Sequence, residues 1–217
     1  MINFTDVTLV IILLSVMFSL GTSRLRTLVT IMAWQGVAVS LIPLFLKGHG
    51  DFGFGAICFF IFMLVIKGVV IPGLLYLALN KVAIKREIVP VIGYHASILT
   101  GLGIVLVSVF ITNYLRLNLA SGQEIVLVTA ITTMASGFFL MMARTKAITQ
   151  VIGYLMLENG IYLIGTALTK HSHTLYVVEF GVLLDILVGV MVMGIILHSI
   201  NSAFDDVDTT LLGRLKD

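Results

Sequence analysis

The sequence predicts an all-α, polytopic transmembrane helix bundle of about seven helices, and three observations carry that prediction. Hydrophobic residues make up 59% of the 217 and charged residues only 11%, with a mean hydropathy of +1.13. A water-soluble surface needs far more charge than this, so hydrocarbon is the expected solvent. The apolar residues also gather into seven runs of membrane-crossing length, since roughly 20 residues rising about 1.5 Å each span a core about 30 Å thick. Finally, runs such as 182–197 lack the alternation of polar and apolar residues that a strand of a membrane barrel requires.

Helices are expected at 8–22, 28–46, 54–79, 89–115, 125–143, 147–168 and 175–200, the fourth being long enough to tilt or bend. The first six residues carry no basic cluster and no evident small-residue cleavage site follows, so the first run is expected to stay as a helix. Between the runs, Arg24, Arg26, Lys81, Lys85, Arg86, Arg144, Lys146, Arg214 and Lys216 fall on one side, and only Lys47, Arg116 and Lys170 on the other. Nine basic residues against three predict an N-terminus outside and a C-terminus in the cytoplasm. The short polar tail at 201–217 and the short loops leave little surface in water, which suits a chain packed against partners. A division into a four-helix part, 1–120, and a three-helix part with a cytoplasmic tail, 121–217, is expected.

Several function classes are excluded. The net charge is +2 and the thirteen Lys and Arg are scattered singly, so no basic stripe is available to follow a phosphate backbone and nucleic acid is not a partner. The single cysteine, Cys58, excludes an internal disulfide, a CxxCH haem attachment and a cysteine-ligated iron–sulfur cluster. Redox chemistry would then belong to another subunit. His171 and His173 beside Lys170 read as an exposed loop, with no third ligand to make a metal site. No two glycines stand four apart, so the close-packing GxxxG motif of helix-pair dimers is absent.

The informative residues are ionisable groups inside the apolar runs. Lys67, Glu158 and Asp185 lie near the middles of the third, sixth and seventh runs, and Glu179 nearer the outer end of the seventh. A charge at the bilayer centre costs about 2.5 to 3.5 kcal/mol on insertion scales, so such groups pair, hydrate or stay neutral. Burial disfavours the charged forms of amine and carboxyl alike. Lys67 paired with Glu158 or Asp185 could therefore exchange a proton and alternate between ionic and neutral forms, which makes these three the candidate proton relay. The competing reading is a static salt bridge that pins helices together. His95 and His198 are further relay candidates, or a haem-ligating pair, and Glu179 is another relay candidate, but all three lie near helix ends and read more readily as interfacial groups. Pro72 follows Lys67 closely and cannot donate to the carbonyl of Gly68, so a kink or local unwinding beside the lysine is expected.

The segment Gly153-Tyr154-Leu155-Met156-Leu157-Glu158-Asn159-Gly160 resembles the Gly-Tyr-x-x-x-Glu-Asn-Gly pattern of membrane component E of hydrogenase 4. The run Ile66-Lys67-Gly68-Val69-Val70-Ile71-Pro72, the Asp185 helix and the tail Asp206-Val207-Asp208-Thr209-Thr210-Leu211-Leu212 extend the resemblance along most of the chain. From about Glu124 onward the sequence is also similar to the K-type subunit of respiratory complex I and the C subunit of multisubunit cation antiporters. Asp185, followed four residues later by Gly189, fits that family's second membrane carboxylate. Its first would fall at Leu155, and this chain offers Glu158 one helical turn onward.

The resemblance implies a non-catalytic inner-membrane subunit of a complex I-related energy-converting [NiFe]-hydrogenase or formate hydrogenlyase-type complex. It implies partners in antiporter-like membrane subunits, a membrane anchor and a hydrogenase arm, with the [NiFe] and iron–sulfur centres in those partners and no cofactor in this chain. The implied task is to couple electron transfer to proton, or sodium, translocation. Two other readings stay open: a structural scaffold of the same membrane arm, and a subunit of a cation/proton antiporter with no redox partner.

Overall fold

A computed structural model describes residues 4–47, 54–82, 91–115, 122–168 and 188–194. The chain folds as α1 (Phe4–Gly21), α2 (Leu25–Lys47), α3 (Phe54–Val65), a single wide turn (Ile66–Val70), α4 (Ile71–Val82), α5 (Tyr94–Leu115), α6 (Gln123–Ala143) and α7 (Ala147–Leu168), with a further helical segment at 188–194. Among the described residues there is no strand, and six spans are long and apolar enough to cross a membrane, α3 and α4 forming one of them. The protein is a polytopic membrane helix bundle, as its composition requires.

The spans run alternately up and down, and their contacts fix one end of the bundle. There the Arg26 guanidinium at the start of α2 donates to Asn80 Oδ1 near the end of α4 at 3.3 Å. The hydroxyls of Thr30 and Tyr76 lie 2.5 Å apart one turn further in. Arg144, just past α6, reaches the same end. It reads from sequence as a solvated loop cation, and the structure corrects that: Arg144 is buried, donating to the carbonyls of Leu20 at 2.9 Å and Ile92 at 2.9 Å and lying 4.4 Å from the Tyr94 ring centroid. Leu20 is in the last turn of α1, where carbonyls have no helical donor, so a guanidinium with several N–H groups is suited to the place.

The helix expected from residue 89 begins instead at Tyr94. Residues 91–93 bend, with the Val91 N–H on the Ala143 carbonyl at 3.1 Å and the Ser97 N–H closing on Gly93 at 2.9 Å. Gly93 is a poor helix former, and the extra length expected to tilt the helix goes into this crossover over the end of α6. Of the expected 175–200 helix only 188–194 is described. It is helical, with Val188 and Val192 buried against the bundle. Asp185, Glu179, His198, His171, His173 and the polar tail lie outside the described residues.

Helix α7 is central, with buried residues over a wide arc from Ile148 to Ala167 and a partly exposed stripe along Gln150, Tyr154, Leu157, Ile161 and Leu168. Its closest neighbour is α6. A Cβ on Gly137 would stand 2.4 Å from the Leu157 nitrogen, and one on Gly160 would stand 2.5 Å from the Met134 nitrogen, so the two backbones touch. Glycines missing from any GxxxG pattern serve here to bring two helices of one chain together. One apolar cluster joins Val16, Leu28, Leu75, Leu140, Ile152 and Val188, so the 1–120 and 121–217 parts share it. Helix α5 is peripheral: Ser97, Gly101, Ser108 and Thr112 face inward, while Leu99, Leu102, Leu106 and Phe110 are exposed.

Candidate functional site

At the middle of the Phe60–Asn80 span the α-helical ladder breaks. The Ile71 N–H donates to the carbonyl of Ile66, five residues back, forming a π-turn over Ile66–Val70. The next residue, Pro72, has no N–H to continue either ladder. Such turns occur where the hydrogen-bond register must absorb one extra residue, and they recur at functional positions. Here the turn holds Lys67, which points inward and is buried. The expectation of local unwinding beside the lysine is met by this wide turn.

The Lys67 ammonium donates to Glu158 Oε1 on α7 in a buried salt bridge whose side chains are 3% and 1% exposed. It also donates to Asn159 Oδ1 at 3.2 Å and lies 5.8 Å from the Tyr162 ring centroid. A carboxylate, an amide oxygen and an aromatic face thus converge on one cation. That set satisfies an ammonium shielded from bulk water, since each of the three presents negative charge to it. Of the two partners open to Lys67 from sequence, Glu158 is the one found in contact with it; Asp185 lies outside the described residues.

Close packing sets this geometry. A Cβ on Gly36 of α2 would lie 3.1 Å from both the Lys67 Cβ and the Lys67 carbonyl oxygen, so α2 presses the π-turn toward α7. On the far side, the contact of Gly153 and Gly160 with α6 leaves the Glu158 and Asn159 side chains inside the bundle together. Beside the pair is a pocket of about 10 Å³ lined by Gly36, Lys67, Pro72, Leu155 and Asn159, with Met32 also on its wall. A space of this size takes about one water molecule. Leu155, where the K-type pattern would place its first carboxylate, lines the pocket rather than carrying charge.

His95, the second residue of α5, is exposed and belongs to the end of the bundle where Arg144 lies. Among the described residues no group of three or more His, Cys, Asp or Glu side chains could hold a metal ion. Two participants were missed in the sequence. Asn159 is adjacent to Glu158 and by helical geometry points about 100° away from it, yet both are buried because the buried arc of α7 is wide enough to hold both. Tyr162 lies one turn after Glu158 and could have been found by that spacing. Gln35, 1% exposed on α2 beside Gly36, is a further buried polar group the sequence reading passed over, and its single amide among apolar residues was the available signal.

No family model and no solved structure matches this chain. The chain is similar to Hydrogenase-4 component E of Escherichia coli K12 and of Shigella flexneri, 27% identical over 113 residues, which take in 52% of this chain and 51% of theirs. It is also 34% identical over 195 residues to Uncharacterized protein Rv0085 of Mycobacterium tuberculosis, covering 89% of this chain and 87% of that one. Identity of that order along nearly the whole of both chains shows that this chain belongs to the family of Rv0085.

Proposed function

We propose that this chain is a non-catalytic membrane subunit of a complex I-related energy-converting [NiFe]-hydrogenase or formate hydrogenlyase-type assembly, and that its buried charges take part in moving protons or sodium ions. The observation that carries the reading is the Lys67–Glu158 bridge at mid-membrane, set at a π-turn beside a water-sized pocket. The partial similarity to Hydrogenase-4 component E supports the kind of assembly. In this reading the chain lies in the cytoplasmic membrane with its N-terminus outside, beside antiporter-like subunits and a membrane anchor. The partner arm carries the [NiFe] and iron–sulfur centres. Glu158 alternates between ionic and neutral contact with Lys67, and Asp185 continues the path.

The test is Glu158→Gln in the complete assembly, read in sealed vesicles as ions moved per electron transferred, with Asp185→Asn as its companion. Coupling should fall while the purified complex keeps its subunits. Normal translocation in both variants would end the relay reading. A scaffold role has its own support, because Asn159 and Tyr162 hold Lys67 as firmly as a static lock requires. In that case the same substitutions deplete the complex from the membrane and leave coupling intact in what assembles.

A further inference from the structure

Gln35 sits on the buried face of α2, one turn after Met32 and directly before Gly36, the two α2 residues that line the pocket beside Lys67. Neither its Nε2 nor its Oε1 has a hydrogen-bond partner among the described residues. A buried amide with both ends unused is rare in a folded protein, and water is the usual remedy where a polar space of molecular size exists. The pocket supplies the space, and Lys67 and Asn159 supply polar walls.

Two hydroxyls on α6 lie at this level or about one turn from it. Gly160 against the Met134 backbone and Gly137 against Leu157 place Glu158 opposite residues 134–137 of α6. Thr129 and Thr133 spend their hydroxyls on backbone carbonyls four residues back, at 2.9 and 2.7 Å. Thr132 and Ser136, buried in the same helix, have no partner among the described residues. Among the described residues, then, Ser136 at the depth of the ion pair and Thr132 about one turn from it are hydroxyls without a partner.

We propose that Gln35 and the Lys67–Asn159 pocket form an internal water site, so that the ion pair is hydrated from the α2 side. The site itself stands on the geometry; that its water serves ion movement rests on the function proposed above. Gln35 is in this scheme a positioning residue that holds the water against the pair.

The experiment is radiolytic hydroxyl labelling of the intact assembly in lipid, which modifies buried side chains that touch bound water. Met32 lines the pocket and Met156 is buried in the same core without lining it, so the two methionines report wet and dry interior. Met32 is expected to label several-fold faster than Met156, and Gln35→Leu, or Gln35→Met where leucine does not assemble, should bring it down to the Met156 rate. Equal rates in the unmodified protein overturn the proposal, as does fast Met32 labelling that survives both substitutions. Translocation in the Gln35 variant should fall with that of Glu158→Gln. Should Glu158→Gln leave translocation intact, the proposed function fails while the labelling result still decides the water site.

Discussion

Removing one member of the Lys67–Glu158 pair should destabilise the protein, and removing both should restore most of the loss. With 3% and 1% of their side chains exposed, neither group can turn out to bulk solvent when its partner is gone. Breaking a buried pair by one substitution costs about 3 to 5 kcal/mol, whereas replacing both members by apolar residues of similar volume is often neutral or better. For a chain of this size each kcal/mol moves the melting temperature by about 2 to 4 °C, so Glu158→Leu should lower it by roughly 6 to 20 °C. Lys67→Met should act in the same direction, and the double variant Lys67→Met with Glu158→Leu should melt close to the unmodified protein. Fluorescence-detected size-exclusion after heating, with the protein in detergent, measures all four members of the cycle. Additive losses in the double variant would refute the bridge, since independent sites add and coupled ones do not. The rescued double variant then separates the two roles: a lock replaced by apolar packing still couples, and a relay does not.

Three other outcomes follow from the packing. Gly160→Ala and Gly137→Ala place a methyl against backbone nitrogen at 2.5 and 2.4 Å and should each cost at least about 1 to 3 kcal/mol of overpacking, whereas Gly73→Ala, with nothing within 4 Å, should be neutral or gain up to about 1 kcal/mol in helix propensity; thermal melting in detergent reads both. Arg144→Lys cannot span the Leu20 and Ile92 carbonyls with one ammonium as a planar fork does, so it should lose one charged hydrogen bond of about 1.5 to 3 kcal/mol and speed amide exchange at the end of α1 and the start of α5. Pro72→Ala supplies an N–H where the π-turn has none; recovery of α-helical register would turn Lys67 by about 100° relative to α4, weakening its contact with Glu158 and lowering ion translocation without loss of the assembled complex.

The spans themselves were legible because a bilayer forces long apolar runs. The helix expected at 147–168 is the observed α7, bounded by the polar break at Arg144, Thr145 and Lys146. The identities of the site residues were legible too, since Lys67 and Glu158 are conspicuous among aliphatic neighbours. Their pairing was legible only as one of two options, Glu158 or Asp185. It depends on how far α2, α4 and α7 slide along one another, and that is set by backbone contacts at Gly36 and Gly160 which no single helix reveals. Arg144 was misread because a cation beside a helix end usually meets water; its burial comes from carbonyls of α1 and of the residues before α5, which lie far away in the sequence. Asn159 was hidden by the usual assumption that adjacent helical residues face different surroundings, which fails where the buried arc of a helix is wide enough to take in both.

On α5 the inward residues Ser97, Gly101, Ser108 and Thr112 are smaller and more polar than the leucines and phenylalanine turned outward. Between helices bathed in acyl chains, greasiness gives no preference for the inside, and what sorts one side from the other is volume. A map of such a chain drawn by side-chain bulk therefore finds the seams that a map drawn by polarity turns inside out.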